Sequence, residues 1–249
     1  MSETSETVAV DTARPAARAG AQAGSQTLSR GIRLLEVLAA ADRAMSIDEL
    51  AASLGVHRSV AYRLLRTLED HGLVSRGGSG LVSLGAGLAA LAASVSRDLQ
   101  QAALPELAEA ADDLGMTCLL VLLESDEGIT VVSTPPRRTV AVSYQPGHRH
   151  PITRGAPGKA LLMELADTAW PPDAPAQLRA EIELSRERGY ATSHDEVVAS
   201  LWSVAVPLVL PGQPLAAVAA IHVSLPRPEP EIAERLHAAA AGIARALGS

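Results

Sequence analysis

The chain has 249 residues, of which 47% are hydrophobic, ample for a globular core, and a single cysteine, Cys118, which excludes a disulfide framework and any paired-cysteine zinc module. Its formal net charge of −7 excludes a global electrostatic attraction to nucleic acid, so any such contact must come from a local basic surface. No apolar run reaches the roughly 18 residues that a membrane span needs, and the opening M-S-E-T-S-E-T-V-A-V lacks the basic start and apolar stretch of a secretory signal, so a soluble, cytoplasmic protein is expected.

Residues 1–24 are rich in Ser, Thr, Ala and Arg without apolar periodicity, which predicts a disordered tail; its Arg14 and Arg18 either touch DNA or are merely solvated. Leu28, Ile32, Leu35 and Ala39 recur at helical spacing and predict a first helix with that stripe inward, ending near Ala41. The S-I-D-E at Ser46 to Glu49 is a capping box, in which serine and glutamate side chains each take a backbone amide of the first turn. It opens a short second helix that buries Ile47, Leu50, Ala51 and Leu54 and stops at Gly55. A third helix, Arg58 to about Asp70, carries Val60, Ala61, Leu64, Leu65 and Leu68 on one side. Two short apolar stretches, 73–76 and 81–84, flank Gly77-Gly78-Ser79-Gly80 and predict a β hairpin, completing a winged helix-turn-helix over 25–84. Residues 25–84 hold seven arginines against six acids, so the acidic excess lies further on.

On the third helix Ser59, Tyr62, Arg63 and Arg66 lie three or four apart, opposite the apolar stripe. The helix N-terminus approaches base edges most closely, which makes His57, Arg58, Ser59, Tyr62 and Arg63 candidates for reading bases, with arginine able to pair bidentately with guanine. Arg33, Arg66 and Arg76 are candidates for phosphate contacts.

Leu84, Leu88, Leu91 and Val95 form a heptad-like seam on a predicted linker helix over 85–97; it buries against a second chain or against its own domain. A helix from Leu99 to Leu114, interrupted at Pro105 and ended by Gly115, leads into residues of period two. Thr117 to Leu123 and Ile129 to Thr134 predict a hairpin around S-D-E-G, Val140 to Tyr144 a third strand, and the His- and Arg-rich segment after it, with His148 and His150, an exposed loop. Helices at 158–166 and 176–188, a hairpin of 203–210 with 215–224, and an amphipathic helix at 229–247 follow. Strand hairpins enclosed by helices predict an antiparallel α+β domain over 98–249.

The stretch S-I-D-E-L-A-A-S-L-G-V-H-R-S-V-A-Y-R-L-L-R-T-L-E-D-H-G-L-V resembles the helix-turn-helix signature of the IclR family of bacterial regulators. G-A-P-G-K-A-L-L at Gly155 to Leu162, R-x-x-G-Y-A at Arg186 to Ala191 and S-V-A-V-P at Ser203 to Pro207 resemble its sensor-domain segments, in the same order. The resemblance implies a GAF-like effector-binding domain, homodimers or homotetramers, and control of a metabolic or catabolic operon in response to a small organic acid or aromatic compound. Carried over by position, the effector pocket would use Gly155, Ala156, Gly158, Leu201, Ser203, His222 and Ser224.

Residues two apart on a strand share a face, so His222 and Ser224 can enter one cavity, and amides at the start of a helix suit a carboxylate. A core histidine satisfied by one hydrogen bond is the alternative for His222. Family members often have Cys at the position of Ser203 and Ser at that of His222, some use an acid at that of Ser193, and Pro157 removes one amide donor, so the effector does not transfer directly. His148, His150, His194 and His222 with Asp195 and Glu196 are the candidates for an enzyme reading, but no H-E-x-x-H or G-x-S-x-G context surrounds them. No cofactor or metal is expected. A DNA-binding scaffold whose second domain only oligomerises is the further alternative.

Overall fold

The computed structural model describes residues 25–41, 43–137, 142 and 145–248. The predicted tail at 1–24 lies outside them. Contacts divide the chain into two units, one ending at Val95 and the other beginning at Ser96.

The first unit contains α1 (Gln26–Ala41), α2 (Ile47–Leu54), α3 (Arg58–Asp70), β1 (Val74–Arg76), β2 (Val82–Leu84) and α4 (Gly87–Ala92). The capping box forms as read: the Ser46 amide donates to Glu49 Oε2 at 2.7 Å and the Glu49 amide to Ser46 Oγ at 3.3 Å. Gly55 closes α2 with a left-handed φ of 62°. Leu34, Leu38, Met45, Leu50, Leu64, Leu65, Val74 and Val82 make one core. β1 and β2 pair antiparallel, and Met45 exchanges two backbone hydrogen bonds with Val82, fastening the approach to α2 onto the wing.

Two expectations change here. The inward face of α1 is Gly31, Leu34 and Leu38, whereas Leu28 is 64% and Ile32 50% exposed. The helix carries two apolar stripes, and spacing alone does not choose between them. The linker helix expected over 85–97 is only the six residues of α4, since Ser96 adopts a left-handed φ of 45° before the next helix begins. Leu84, Leu91 and Val95 of the expected seam are exposed. Gly85 has a packing role: a Cβ there would lie 2.2 Å from the carbonyl oxygen of Gly72, so only glycine lets the wing exit press against the end of α3.

The second unit contains α5 (Arg97–Leu114), β3 (Thr117–Glu124), β4 (Glu127–Thr134), β5 (Arg149–Pro151), α6 (Gly155–Glu164), α7 (Ala176–Arg188), β6 (Ala191–His194), β7 (Trp202–Leu208), β8 (Ala216–His222) and α8 (Glu229–Ala246). The six strands form an antiparallel sheet in the order β5-β4-β3-β8-β7-β6. One face, with Cys118, Leu120, Val204, Val206, Val218 and Ala220, packs on α5 and α8. The other, with Leu119, Val121, Ala205, Ala217, Ala219 and Ile221, packs on α6 and α7. β3, β7 and β8 are therefore apolar almost throughout, because each is buried on both sides.

Pro105 lies inside a continuous α5 and does not interrupt it; Leu99, Ala103, Leu107, Ala110 and Leu114 hold that helix down by burial. The β3–β4 turn is tighter than S-D-E-G, with Glu124 facing Glu127 and Ser125 left-handed at φ 60°. The strand expected at Val140 to Tyr144 lies outside the described residues except Val142, which is in no strand and whose carbonyl accepts from Thr117 Oγ1 at 2.8 Å. β5 and β6 were not anticipated.

Replacing Ser46 by Ala removes one arm of the capping box and should lower stability by about 1 kcal/mol, measured by denaturant unfolding followed by circular dichroism; an unchanged midpoint would leave that cap without a role.

Candidate functional site

The start of α3 is organised by its own side chains. His57 is the N-cap, its backbone extended, and its Nδ1 accepts from the Ser59 amide at 3.3 Å. Ser59, Tyr62, Arg63 and Arg66 are exposed on the side opposite Ala61, Leu64 and Leu65. His57, Arg58, Ser59, Tyr62 and Arg63 together line one open depression. Arg58 donates to Asp48 of α2 at 2.6 Å, but both side chains are exposed, and an exposed pair of this kind yields readily to a phosphate. Arg76 of the wing lies 5.6 Å above the Tyr62 ring and 3.6 Å from Glu69, which ties wing to helix. Arg33 and Arg66 are exposed and lie outside that lining.

In the second unit a cavity of about 30 Å³ opens between the sheet and α6. Leu119, Val121, Ile221, Pro157, Val197 and Val198 give it apolar walls. Four polar side chains also line it, Thr130, His150, Ser193 and Ser203, and among the described residues the Thr130 and Ser203 hydroxyls and both His150 nitrogens are buried without a hydrogen-bond partner. Polar groups in that condition cost stability unless something completes them.

Of the residues expected at an effector pocket, Gly155, Leu201 and Ser203 line this cavity. Ala156 is next to it, its amide donating to Ser193 Oγ at 2.9 Å. Gly158 serves close packing, since a Cβ there would stand 2.5 Å from the Ile152 carbonyl oxygen. His222 and Ser224 do not reach the cavity. Ser193, Ser203 and Ile221 lie in one row across β6, β7 and β8, while His194, Trp202 and His222 form the adjacent row. Successive side chains point to opposite faces, so His222 shares the other side of the sheet, where its Nδ1 accepts from the Ser224 amide at 3.0 Å. The expected pair is displaced by one residue from the wall residue Ile221.

His150 departs furthest from expectation, being 4% exposed on β5 where an exposed loop was foreseen. Burial, with a smaller contribution from His148, pushes its pKa down to about 4, so the ring is neutral at pH 7. Thr130 is a further wall residue outside the expected set, and alternation along β4 places it inward. His150 carried no such signal, because its strand is three residues long.

A charge cluster built on the buried Lys159 stands beside the cavity. Lys159 of α6 pairs with Glu196 at 2.6 Å and with Glu181 of α7 at 2.7 Å. The other oxygen of Glu196 accepts from the Gly155 amide at 2.9 Å. Arg186 holds the far end of α6, donating to the carbonyls of Met163, Leu162 and Leu165 at 2.9, 3.3 and 3.0 Å. Among the described residues, no three His, Cys, Asp or Glu side chains converge as a metal site.

Residues 27–78 match the IclR helix-turn-helix domain. An HTH-type transcriptional regulator of Mycobacterium tuberculosis is 33% identical over 238 residues, which is 90% of this chain and 89% of the relative. The transcriptional repressor IclR of Escherichia coli is 28% identical over 191 residues, 69% of this chain and 70% of its own. Among solved structures, an IclR homologue of Microbacterium hydrocarbonoxydans complexed with 4-hydroxybenzoate superimposes with a TM-score of 0.78 at 23% identity, covering 90% of this chain and 99% of that one.

The His150 shift has a definite sign. Between pH 6.5 and about 4 the unfolded chain takes up a proton that the folded chain refuses, so this residue's contribution to stability is complete above 6.5 and is lost as pH falls through that window. An NMR titration should find the His150 ring neutral down to about pH 4; a midpoint near 6.5 would show that the ring is not buried.

Proposed function

The chain belongs to the IclR family of transcriptional regulators, and on that premise we propose that it is a DNA-binding repressor of a metabolic or catabolic operon that responds to a small organic effector held in the cavity beside α6. It is a regulator and not an enzyme, as its relatives are named. The observation that carries the sensor reading is the set of unpartnered polar groups, Thr130 Oγ1, Ser203 Oγ and the His150 nitrogens, facing one small cavity. A scaffold domain would have filled that space with carbon. The 4-hydroxybenzoate bound by the Microbacterium homologue supports an organic acid or aromatic compound as the class.

On the DNA side, His57, Arg58, Ser59, Tyr62 and Arg63 read bases, while Arg33, Arg66 and Arg76 hold phosphates. The active species is a homodimer or homotetramer, and the exposed apolar residues Leu28, Ile32, Leu84, Leu91 and Val95 support burial of the first unit against a second copy. Effector binding changes the spacing of the paired recognition helices, which must match half-sites about 34–36 Å or a multiple apart.

For Arg63→Ala we expect a loss of about 1–3 kcal/mol in binding to DNA selected from randomised duplexes, with unchanged sedimentation. Equal affinity by fluorescence anisotropy would remove the recognition-helix assignment. Ser203→Ala should keep DNA affinity and lose effector-driven release in the same assay; an unaltered dose response would take Ser203 out of the pocket.

A further inference from the structure

The amides at which an acidic effector would seat are already in use. Gly155, Ala156 and Pro157 open α6. The Gly155 amide donates to Glu196, the Ala156 amide donates to Ser193, and Pro157 has no N–H to offer. The first turn of the helix, which would otherwise attract an anion, has been filled by the chain's own carboxylate.

The charge balance points the same way. The buried Lys159 ammonium faces two carboxylates, Glu181 and Glu196, so the cluster beside the cavity is already negative. A further carboxylate there would meet that negative excess without a cation of its own, an unfavourable contact that the partial exposure of Glu181 and Glu196 tempers but does not cancel. What the cavity leaves unsatisfied is of another kind. Two hydroxyls, Thr130 and Ser203, and the His150 imidazole each donate and accept, and none carries charge at neutral pH.

We propose that this cavity accepts a small uncharged polar molecule, an alcohol, phenol or primary amide, and rejects the corresponding carboxylate because Glu196 occupies its place at the Gly155 amide. The inference rests on the effector-cavity reading above and narrows it. At about 30 Å³ the cavity has room for only one or two waters as it stands, so a ring enters when residues 195–200 give way. That segment is bounded by two left-handed non-glycine residues, Asp195 at φ 59° and Ser200 at φ 60°, and it brings Val197 and Val198 to the cavity wall.

The experiment uses matched pairs of nearly equal shape and different charge: propionamide with propionate, benzamide with benzoate, and 4-hydroxybenzamide with 4-hydroxybenzoate. Calorimetry at pH 7.5 on the full chain should show each amide that binds doing so at least about tenfold more tightly than its acid. Glu196→Gln, which removes the charge and leaves only a neutral, more easily displaced oxygen at the Gly155 amide, should raise acid affinity by about tenfold and leave amide affinity within about threefold. Glu181→Gln removes a charge from the α7 side without freeing that amide, and should raise acid affinity by less; it also supplies the measurement if Glu196→Gln does not fold. Tighter acid binding in the unmodified chain, or acid affinity indifferent to both variants, overturns the proposal while leaving the cavity as an effector site. Saturable binding by no member of any pair overturns the effector-cavity reading and this inference together.

Discussion

An ammonium group buried inside a protein has to be answered by negative charge, and Lys159 is the place where this requirement organises the second unit. Its nitrogen sits at 2.6 Å from Glu196, on the segment between β6 and β7, and at 2.7 Å from Glu181 on α7. Removing both partners would strand a charge in a medium where solvation is poor. Two segments distant in sequence are thereby drawn onto α6, and the Glu196 segment becomes the roof of the cavity. The unpartnered hydroxyls and imidazole below that roof are the reverse situation, polar groups for which the fold itself supplies no answer.

Features written in neighbouring residues were legible in the sequence. The capping box at Ser46 and Glu49, the left-handed stop at Gly55, the apolar stripe of α3 and the glycine wing each depend on contacts within a few residues, and each formed as read. The order of helix, hairpin and helix also sufficed for the α+β class. Periodicity was weaker where a segment offered two solutions. In α1 the residues Leu28 and Ile32 fit a helical stripe as well as Leu34 and Leu38 do, and only the packing of α2 and α3 decides which stripe turns inward.

The cavity was only partly legible, for reasons of register and distance. Gly155, Leu201 and Ser203 lie on segments whose sequence blocks were recognisable, and they meet at its wall. His222 and Ser224 fail by a single residue, and on a pleated strand one residue is a change of face. His150 and Thr130 come together across the pairing of β4 with β5, in which Gly128 faces His150, and nothing local announces so short a strand. Glu196 takes its meaning from a lysine 37 residues away in the chain.

The wing and recognition helix invite a mechanical reading. Met45 is stitched to Val82 by two backbone hydrogen bonds, Arg76 lies over Tyr62, and the turn at Gly72 leaves no room for a side chain at Gly85. Joints of that kind lock; they do not hinge. The DNA-reading head is therefore a key whose teeth are cut once, and a signal can govern it by turning the key in the lock or withdrawing it, never by recutting the teeth.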